Sequence, residues 1–186
     1  MKIKDLVKTA AVYLAEEKVL EYLENGEYAT DGNVLVAVDY LTRCANTVIN
    51  ELSSTYIPLV KKEKAISENG KIYFSSLKET ALELVNVYNL NGDKAEFDFH
   101  PDYIEIPCGE WVIEYKYLPY NLGLEDDTGY KESVVGTRII AYAVASEYLL
   151  LKRNFEESVL WRNRYTDALS KIIKPKNGKI PLRSFL

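Results

Sequence analysis

The chain has 186 residues, enough to bury a core as one domain, or as one domain that carries an insertion. Apolar residues make up 47% of it and charged residues 27%, the balance of a globular rather than a disordered protein. No apolar run approaches the ~20 residues that span a bilayer, and the first residues lack a signal-peptide pattern, so we expect no membrane segment. Two cysteines, Cys44 and Cys108, are too few for a disulfide framework and indicate reduced thiols in a cytosolic protein.

The net charge of −5 is unevenly distributed along the chain. Five basic residues and no acidic residue follow Ser170, so the preceding residues hold 18 basic side chains against 28 acidic ones. An acidic body with a basic tail indicates that the tail contacts another acidic surface, such as that of a second copy of the protein.

Three helices are predicted in the first 56 residues. Apolar residues at helical spacing predict a short helix over 6–14 and a second one from Glu16 that ends at Asn25-Gly26, a favoured C-terminal cap. A long helix begins after Asp31 and ends before Pro58. Its apolar positions alternate spacings of four and three residues and share one face: Val34, Val38, Leu41, Ala45, Val48 and Leu52.

The following residues, 57–119, have the period of extended strands. The clearest runs are 71–74, 84–90, 95–99, 103–106 and 111–117. Asn91-Gly92 predicts a type I′ hairpin between the second and third runs, because both residues accept positive φ. In the last run, Trp111, Ile113, Tyr115 and Tyr117 alternate with Val112, Glu114 and Lys116. A strand with one apolar face and one solvent-exposed polar face is typical of an antiparallel sheet.

Two further helices complete the prediction. Residues 134–152 are apolar almost all round, which indicates a helix that is buried on most sides. Asn154 and Glu157 predict a capping box for the last helix. The inner face of that helix would comprise Trp161, Tyr165, Ala168, Leu169 and Ile172.

The order of elements predicts an α+β fold: a helical bundle formed by the N- and C-terminal helices, with an inserted antiparallel β-sheet and an extended C-terminal arm. The predicted divisions are residues 1–56 for the N-terminal helices, 57–119 for the β insertion, 120–173 for the C-terminal helices and 174–186 for the basic arm.

No residue pattern points to catalysis, a cofactor or a metal site. The single histidine, His100, follows a strand and reads as a surface or loop residue. Glycines stand in Asn-Gly turns and not in a phosphate-binding loop. A carboxylate pair of the glycosidase type stays open, because 28 acidic residues always offer some pair.

The acidic run 125–127 does not fit a calcium loop. With Gly129 at the sixth position, the apolar Leu124 and Val135 would occupy the first and twelfth ligand positions. We therefore expect a solvated loop whose charges favour the N-terminal dipole of the helix that follows, with adventitious cation binding as the alternative. The 15 tyrosines fit core and interface positions, since an acidic body disfavours nucleic acid except at the basic tail.

The tail combines positive charge with an apolar end. We predict that it is an arm that binds a partner, through a set of basic and apolar residues: Lys174, Lys176, Lys179, Ile180, Leu182, Arg183, Phe185 and Leu186. The alternative is a frayed terminus.

The arrangement resembles a known family. A helix pair, a long helix, a β insertion that ends in Tyr117-Leu118-Pro119, an Ala-rich helix and the stretch from Ser146 to Leu169 resemble the head–tail connector (adaptor) proteins of tailed bacteriophages. The likeness spans most of the chain. It lies in the order of the elements and in their general composition, and no invariant motif carries it.

The resemblance implies a virion protein of the phage neck, assembled in the host cytoplasm and without enzymatic activity. It implies a homo-oligomeric ring, a dodecamer, that docks on the portal protein, contacts further neck and tail proteins and extends the channel through which DNA passes. The alternatives are another neck protein, such as a head-closure or tail-terminator protein, and a hydrolase that uses carboxylates of the sheet.

Overall fold

The structure, a computed structural model, describes residues 1–173, and within this range the predicted α+β class is confirmed. The helices are α1 (Ile3–Tyr13), α2 (Glu17–Asn25), α3 (Gly32–Glu51), α4 (Thr137–Leu151) and α5 (Phe155–Ile172). The strands are β1 (Leu59–Ser67), β2 (Lys71–Tyr73), β3 (Thr80–Tyr88), β4 (Asp98–Phe99), β5 (Tyr103–Glu105) and β6 (Gly109–Leu118). A π-helical turn, Leu52–Tyr56, extends α3, and a 3₁₀ turn, Phe74–Ser76, follows β2.

Helix α4 lies at the centre of the helical layer and packs against α1, α3 and α5. Its residues Ile140, Ala141, Ala143, Val144 and Ala145 are all fully buried, which is the burial on most sides predicted from the sequence. The apolar face of α3 is also confirmed, since each of its six predicted positions is buried. Small alanines allow close approach of the neighbouring helices, so one core holds the N- and C-terminal segments together.

The predicted start of α4 is wrong by three residues, and α5 begins after Asn154 as predicted but without its predicted capping box. Helix α4 begins at Thr137 and not at 134, because the Glu132 carboxylate accepts the Thr137 backbone N–H at 2.9 Å and ends the preceding turn there. The capping box of α5 does not form. The Asn154 backbone N–H donates to the carbonyl of Leu149 at 2.9 Å and is not free for Glu157, whose carboxylate accepts the Asn154 side-chain amide instead.

Two serines join α4 to α5 inside the core. The hydroxyl of Ser146 donates to the backbone carbonyl of Ser158 at 2.9 Å, and the hydroxyl of Ser158 donates to the carbonyl of Ser146 at 3.0 Å. Because both residues are buried, this reciprocal pair satisfies polar groups that would otherwise be costly, and it fixes the register of the two helices.

The β region contains two three-stranded antiparallel sheets and not the single predicted sheet. The first has the strand order β1-β6-β3 and the second β2-β5-β4. A second core lies between them: Ile72, Leu77, Val87, Ile104, Ile106, Ile113 and Tyr115. Folding one sheet over the other covers the apolar face that a single sheet would leave in water.

The predicted hairpin at Asn91-Gly92 is only partly formed. Of these two residues only Gly92 has positive φ, and the turn is wider because the Asn89 side chain accepts the N–H groups of Asn91 and Asp93, each at 2.9 Å. The chain then passes to the second sheet, where β4 pairs with β5. The two-residue Asn-Gly turn with two positive φ values lies instead at Asn69-Gly70, between β1 and β2.

Strand β1 was missed by the sequence analysis. Its sequence places a run of charged residues, 61–64, in the middle of the strand and hides the alternation. In the structure β1 pairs along its whole length with β6, from Leu59 opposite Tyr117 to Ser67 opposite Gly109. Pairing with a long aromatic strand therefore overrides a local composition that favours a solvated loop.

The loop between β6 and α4 connects the two layers. It does not place its acidic residues at the start of α4, as predicted, but at the start of α1: the carbonyls of Asp126 and Leu124 accept the N–H groups of Ile3 (3.1 Å) and Lys4 (2.8 Å). The Glu125 carboxylate also accepts the Lys2 ammonium at 2.8 Å. The loop thus supplies acceptors for α1, whose first N–H groups have no partner within the helix.

Gly129 in this loop packs directly on the β layer. It has φ +80°, and a Cβ at this position would lie 3.1 Å from the Tyr117 hydroxyl and 3.2 Å from both δ-methyl groups of Leu59. Next to it, the Tyr130 hydroxyl donates to the carbonyl of Ile57 at 2.7 Å. Tyr117 packs against both cores, so this close approach joins the sheets to the helices.

No helix among residues 1–173 combines the length and the apolar character that crossing a bilayer requires.

The close approach at Gly129 predicts a stability difference between two glycine variants. Gly129→Ala is expected to lower the free energy of unfolding by more than the ~1–2 kcal/mol that a left-handed alanine costs, because its Cβ also meets Tyr117 and Leu59. Gly92→Ala is the matched control, since Gly92 has φ +91° with nothing within 4 Å of the added Cβ. Urea unfolding of both variants measures the difference, and equal losses would contradict the packing described.

The two cysteines are expected to differ in reactivity. Burial in α3 raises the pKa of Cys44 to about 12, while Cys108 lies exposed between β5 and β6. Because the thiolate is the reactive form, iodoacetamide at pH 8 should alkylate Cys108 and leave Cys44 unmodified in the folded protein. Peptide mass spectrometry measures both sites, with a urea-unfolded sample as the control in which both react.

Candidate functional site

The eight predicted arm residues lie beyond residue 173, outside the described residues, and their role stays a prediction. The structure does describe the point at which this segment leaves the body. At the end of α5, Leu169 is buried and Ile172 and Ile173 pack against the helical core. The Ile173 N–H donates to the carbonyl of Leu169 at 3.0 Å. The base of the arm is therefore held by the helical layer.

An ion pair holds α5 to α3. The guanidinium of Arg162 donates to both oxygens of Glu51, at 3.1 and 2.6 Å, and a second carboxylate, that of Glu147, lies 3.7 Å away. Two parallel N–H donors on one carboxylate fix orientation as well as distance. Since Arg162 and Glu51 are half-buried, this pair is screened less than a surface pair.

The turn between α4 and α5 carries an exposed apolar surface. Five large apolar side chains, each 46–63% exposed, lie within an eleven-residue stretch at the end of α4 and the start of α5. We name them the corner patch: Leu150, Leu151, Phe155, Val159 and Leu160. Isolated exposed apolar residues are common, whereas five within eleven residues make this turn a candidate interaction site.

Four tyrosines are buried and form part of the two cores. Tyr115, Tyr130, Tyr148 and Tyr165 are buried, and burial raises the pKa of each. Three of them donate a hydrogen bond: Tyr115 to Glu63 (2.7 Å), Tyr130 to a backbone carbonyl (2.7 Å) and Tyr148 to Glu16 (2.9 Å). These rings are therefore unavailable as stacking platforms for bases.

Two carboxylates of the first sheet, those of Glu63 and Glu114, have structural partners. Glu63 accepts the Tyr115 hydroxyl on the inner face, whereas Glu114, on the opposite face, accepts the Asn86 amide (2.9 Å) and the Tyr88 hydroxyl (2.7 Å). These hydrogen bonds, with Lys62 at 3.4 Å, hold the pKa of Glu114 below its ordinary value. A general acid needs a raised pKa, so this arrangement suits a fixed charge and not acid catalysis.

The second sheet carries an acidic cleft that the sequence analysis missed. It has a volume of about 750 Å³ and is lined by Gly70, Glu96, Phe97, Asp98, Glu105, Ile106 and Pro107. Its three carboxylates are exposed, whereas Phe97 is half-buried and Ile106 is buried. The signal was present in the sequence, because Glu96-Phe97-Asp98-Phe99 alternates charged and aromatic residues, but this run was interpreted only as one side of a hairpin.

His100 lies between β4 and β5, in the loop position predicted for it. Its ring stacks on Tyr103 with centroids 4.4 Å apart, and its Nε2 lies 3.7 Å from the Glu105 carboxylate. Within residues 1–173, no three His, Cys, Asp or Glu side chains are grouped so as to hold a metal ion.

No protein-family model matches the chain, and no curated protein matches it either.

The Glu114 site predicts a pH-dependent effect on stability. An unfolded glutamate titrates near pH ~4.3, and because the folded pKa is lower, the charged form stabilises the fold above that pH and the contribution is lost as the pH falls through the folded pKa. Glu114→Gln should therefore lower the urea midpoint at pH 7, and its difference from the unmodified protein should shrink below pH ~4.

Glu110→Gln is the matched control for that series, because Glu110 is exposed on the same face of the same strand. Its urea midpoint is expected to equal that of the unmodified protein at both pH values. A loss in Glu114→Gln that is the same at pH 7 and pH 3.5 (about one unit below the ordinary carboxylate pKa) would contradict the assigned charge interaction.

Proposed function

We propose that this protein is a structural subunit of a tailed-phage virion. As a head–tail connector (adaptor), it would form a homo-oligomeric ring on the portal protein, contact further neck and tail proteins and extend the channel through which DNA leaves the head. The observation that carries this proposal is the corner patch, five exposed apolar side chains at one turn that a subunit contact would remove from water.

The corner patch has the chemistry of a subunit contact. Fully covering one exposed large apolar side chain is worth about 1.5–3 kcal/mol. The five residues of the patch are 46–63% exposed, so each would contribute roughly half of that to an association, against the cost of ordering the partners. The patch lies on two helices that the Ser146–Ser158 pair fixes to each other, which makes it a rigid surface. In a ring, such a patch on one copy contacts a different surface on the next.

The charge distribution also fits a ring around DNA. The body before Lys171 has 18 basic and 28 acidic residues, so a channel lined by it would repel the phosphate backbone and let DNA slide. The basic residues after Ser170 would then contact protein carboxylates on portal or on neighbouring copies.

The order of elements is what the family resemblance implies: helices, β layer, helices. The alternatives within the virion, a head-closure or tail-terminator protein, share the same logic of assembly. Isolation of the protein bound to portal favours the connector, whereas isolation with the tail tube favours a terminator.

The hydrolase alternative has one specific observation in its favour, the acidic cleft of the second sheet. Its carboxylates are exposed to water, whereas a carboxylic acid that protonates a leaving group needs a sheltered environment that raises its pKa. The cleft therefore suits binding of cationic groups better than acid catalysis. Release of sugar fragments from cell-wall polysaccharide, abolished by Glu105→Gln, would instead establish the hydrolase.

The corner patch predicts loss of assembly without loss of folding. Phe155→Glu/Val159→Glu should prevent formation of the complex with the portal protein of the same virion, because two charges would have to be buried in the contact. Native mass spectrometry of the mixture with portal measures the complex, and circular dichroism confirms the fold.

The control for this experiment is Ile66→Glu. Ile66 is 64% exposed, which is comparable with Phe155 and Val159, but lies on β1 outside the corner patch. It should leave the complex intact. A portal complex of unchanged mass with Phe155→Glu/Val159→Glu would remove the corner patch from the ring contact, and no complex with the unmodified protein would end the proposed function.

A further inference from the structure

We infer that a group of arginines and aromatic rings on the surface of the helical layer binds helix α2 of a second copy of this chain. The inference rests on the proposed ring and names one contact between neighbouring subunits. We name the site the arginine–aromatic cluster: Tyr13, Arg138, Tyr142, Trp161 and Arg164.

Three helices build this cluster. Tyr13 is the last residue of α1. Arg138 and Tyr142 lie one turn apart on α4, and the pair Trp161 and Arg164 lies one turn apart on α5. The Tyr13 ring stacks on that of Trp161 with centroids 5.0 Å apart, and the Tyr142 ring lies within 5.6 Å of both. All three rings are half-buried, so packing fixes the surface that carries the two arginines.

The two arginines of the cluster lack a counter-ion. Arg138 and Arg164 are exposed, and within residues 1–173 neither of them forms an ion pair. Nε of Arg138 donates to the Tyr142 hydroxyl at 2.8 Å, and the Arg164 guanidinium lies over Trp161, 4.5 Å from the ring centroid. These contacts orient both guanidinium groups and leave their charge uncompensated.

The polar groups of the cluster are hydrogen-bond donors. The Tyr142 hydroxyl accepts from Arg138, which leaves its own proton available as a donor beside the remaining N–H groups of the guanidinium. A carboxylate only accepts hydrogen bonds and carries the opposite charge, so it is the group that completes such a set.

The cluster has the composition of a protein contact and not of a base-stacking site. The indole of Trp161 already has Tyr13 stacked on it and Arg164 over it, which leaves little ring surface for a base. Leu160 of the corner patch lies one turn before Arg164 and is 63% exposed, so it adds an apolar border to the same surface. Tryptophan, tyrosine and arginine are the residues most enriched at the centre of protein–protein contacts.

Helix α2 presents the complementary charge. Residues 16–31 contain six acidic residues and one basic residue, whereas residues 152–173 contain five basic and three acidic ones. Glu17, Glu21 and Glu24 succeed one another at spacings of four and three residues and therefore share one face of α2. Within the described part of the chain, Glu17 and Glu21 form no ion pair. The acidic face of one copy can thus meet the uncompensated arginines of another.

The same chain does not supply these carboxylates to its own cluster. Helix α2 packs against α1 and α3, whereas α5 packs against α4, and one core fixes all of them. Ion pairs join α2 and its N-terminal turn to Lys8 of α1 and to Asp31 before α3, and within residues 1–173 none joins it to α4 or α5. A second copy is therefore the donor. Because the two surfaces differ, the contact is heterologous, which is the kind that closes a ring.

Charge reversal tests the contact from both sides. Arg138→Glu/Arg164→Glu in the full chain is expected to raise the dissociation constant for self-association about tenfold or more, because carboxylates then face carboxylates. Glu17→Lys/Glu21→Lys is expected to have the same effect, because cations then face cations. Analytical ultracentrifugation of each chain, alone and with the portal protein, measures assembly, and circular dichroism confirms the fold.

Mixing the two variants is expected to restore assembly. The new glutamates of one chain then face the new lysines of the other, and the unmodified arginines and glutamates form the alternate contact. We expect complexes that contain the two chains in equal number, measured by native mass spectrometry with one chain isotopically heavy. Assembly of either variant alone at the level of the unmodified chain, or no mixed complexes, overturns the inference, and so does an unmodified chain that stays monomeric alone and with portal.

The matched control is Lys64→Glu/Lys94→Glu, which makes the same charge change on exposed residues of the β layer. It should assemble as the unmodified chain does. An equal loss of assembly in this control would mean that net charge, and not the cluster, weakens self-association, which overturns the inference.

Single-stranded DNA is the other ligand that the variants distinguish. A fluorescein-labelled oligothymidine is titrated with the unmodified chain and with Arg138→Glu/Arg164→Glu. We expect no binding that depends on the two arginines. Binding that is lost in the variant while self-association is unchanged would assign the cluster to nucleic acid and overturn the second copy as its partner.

The two proposals fail in different ways. Assembly of the unmodified protein on portal, with no loss in either charge-reversal variant, overturns this inference and leaves the connector function standing. Mixed complexes of the two variants, with no complex on portal, overturn the connector function and leave the cluster as a contact between copies.

Discussion

The whole molecule depends on the close approach of one loop to the β layer. A Cβ added to Gly129 would lie 3.1–3.2 Å from Tyr117 and Leu59, which would have to shift to admit it, and the Tyr130 hydroxyl beside it donates to the carbonyl of Ile57 before β1. The same loop contains Glu132, whose carboxylate accepts the first N–H of α4, and its carbonyls supply acceptors for α1. Among residues 1–173, the helices and sheets are therefore joined by close packing at Gly129 together with the hydrogen bond of Tyr130.

Two separate cores lie on either side of this junction, and each has a distinctive surface at its outer edge. The helical core is closed around α4, and its outer edge carries the corner patch. The β core is closed between two small sheets, and its outer edge carries the acidic cleft. One surface is apolar and the other is charged, so the two differ in the chemistry of the partner that each could bind.

The acidic character of the protein has several structural uses. Some carboxylates accept hydrogen bonds within the fold. Glu51 accepts from Arg162, and Glu114 accepts from Asn86 and Tyr88. Others stay solvated and give the body its negative field, to which Glu96 and Asp98 contribute at an open strand edge. Solvated carboxylates of the second kind repel phosphate and attract cationic groups at little desolvation cost, which is the property that the proposed function uses.

The sequence by itself determined the α+β class, the helices and their buried faces, because a period of 3.6 residues in apolar side chains is a local property of the chain. It also determined the basic composition of the arm. Only the tertiary structure decided that the strands form two facing sheets, that the turn at Asn91-Gly92 sends the chain from one sheet to the other, and that Asp98 lies opposite Glu105. Strand partners and clefts depend on contacts between residues distant in the chain, and no local period encodes them.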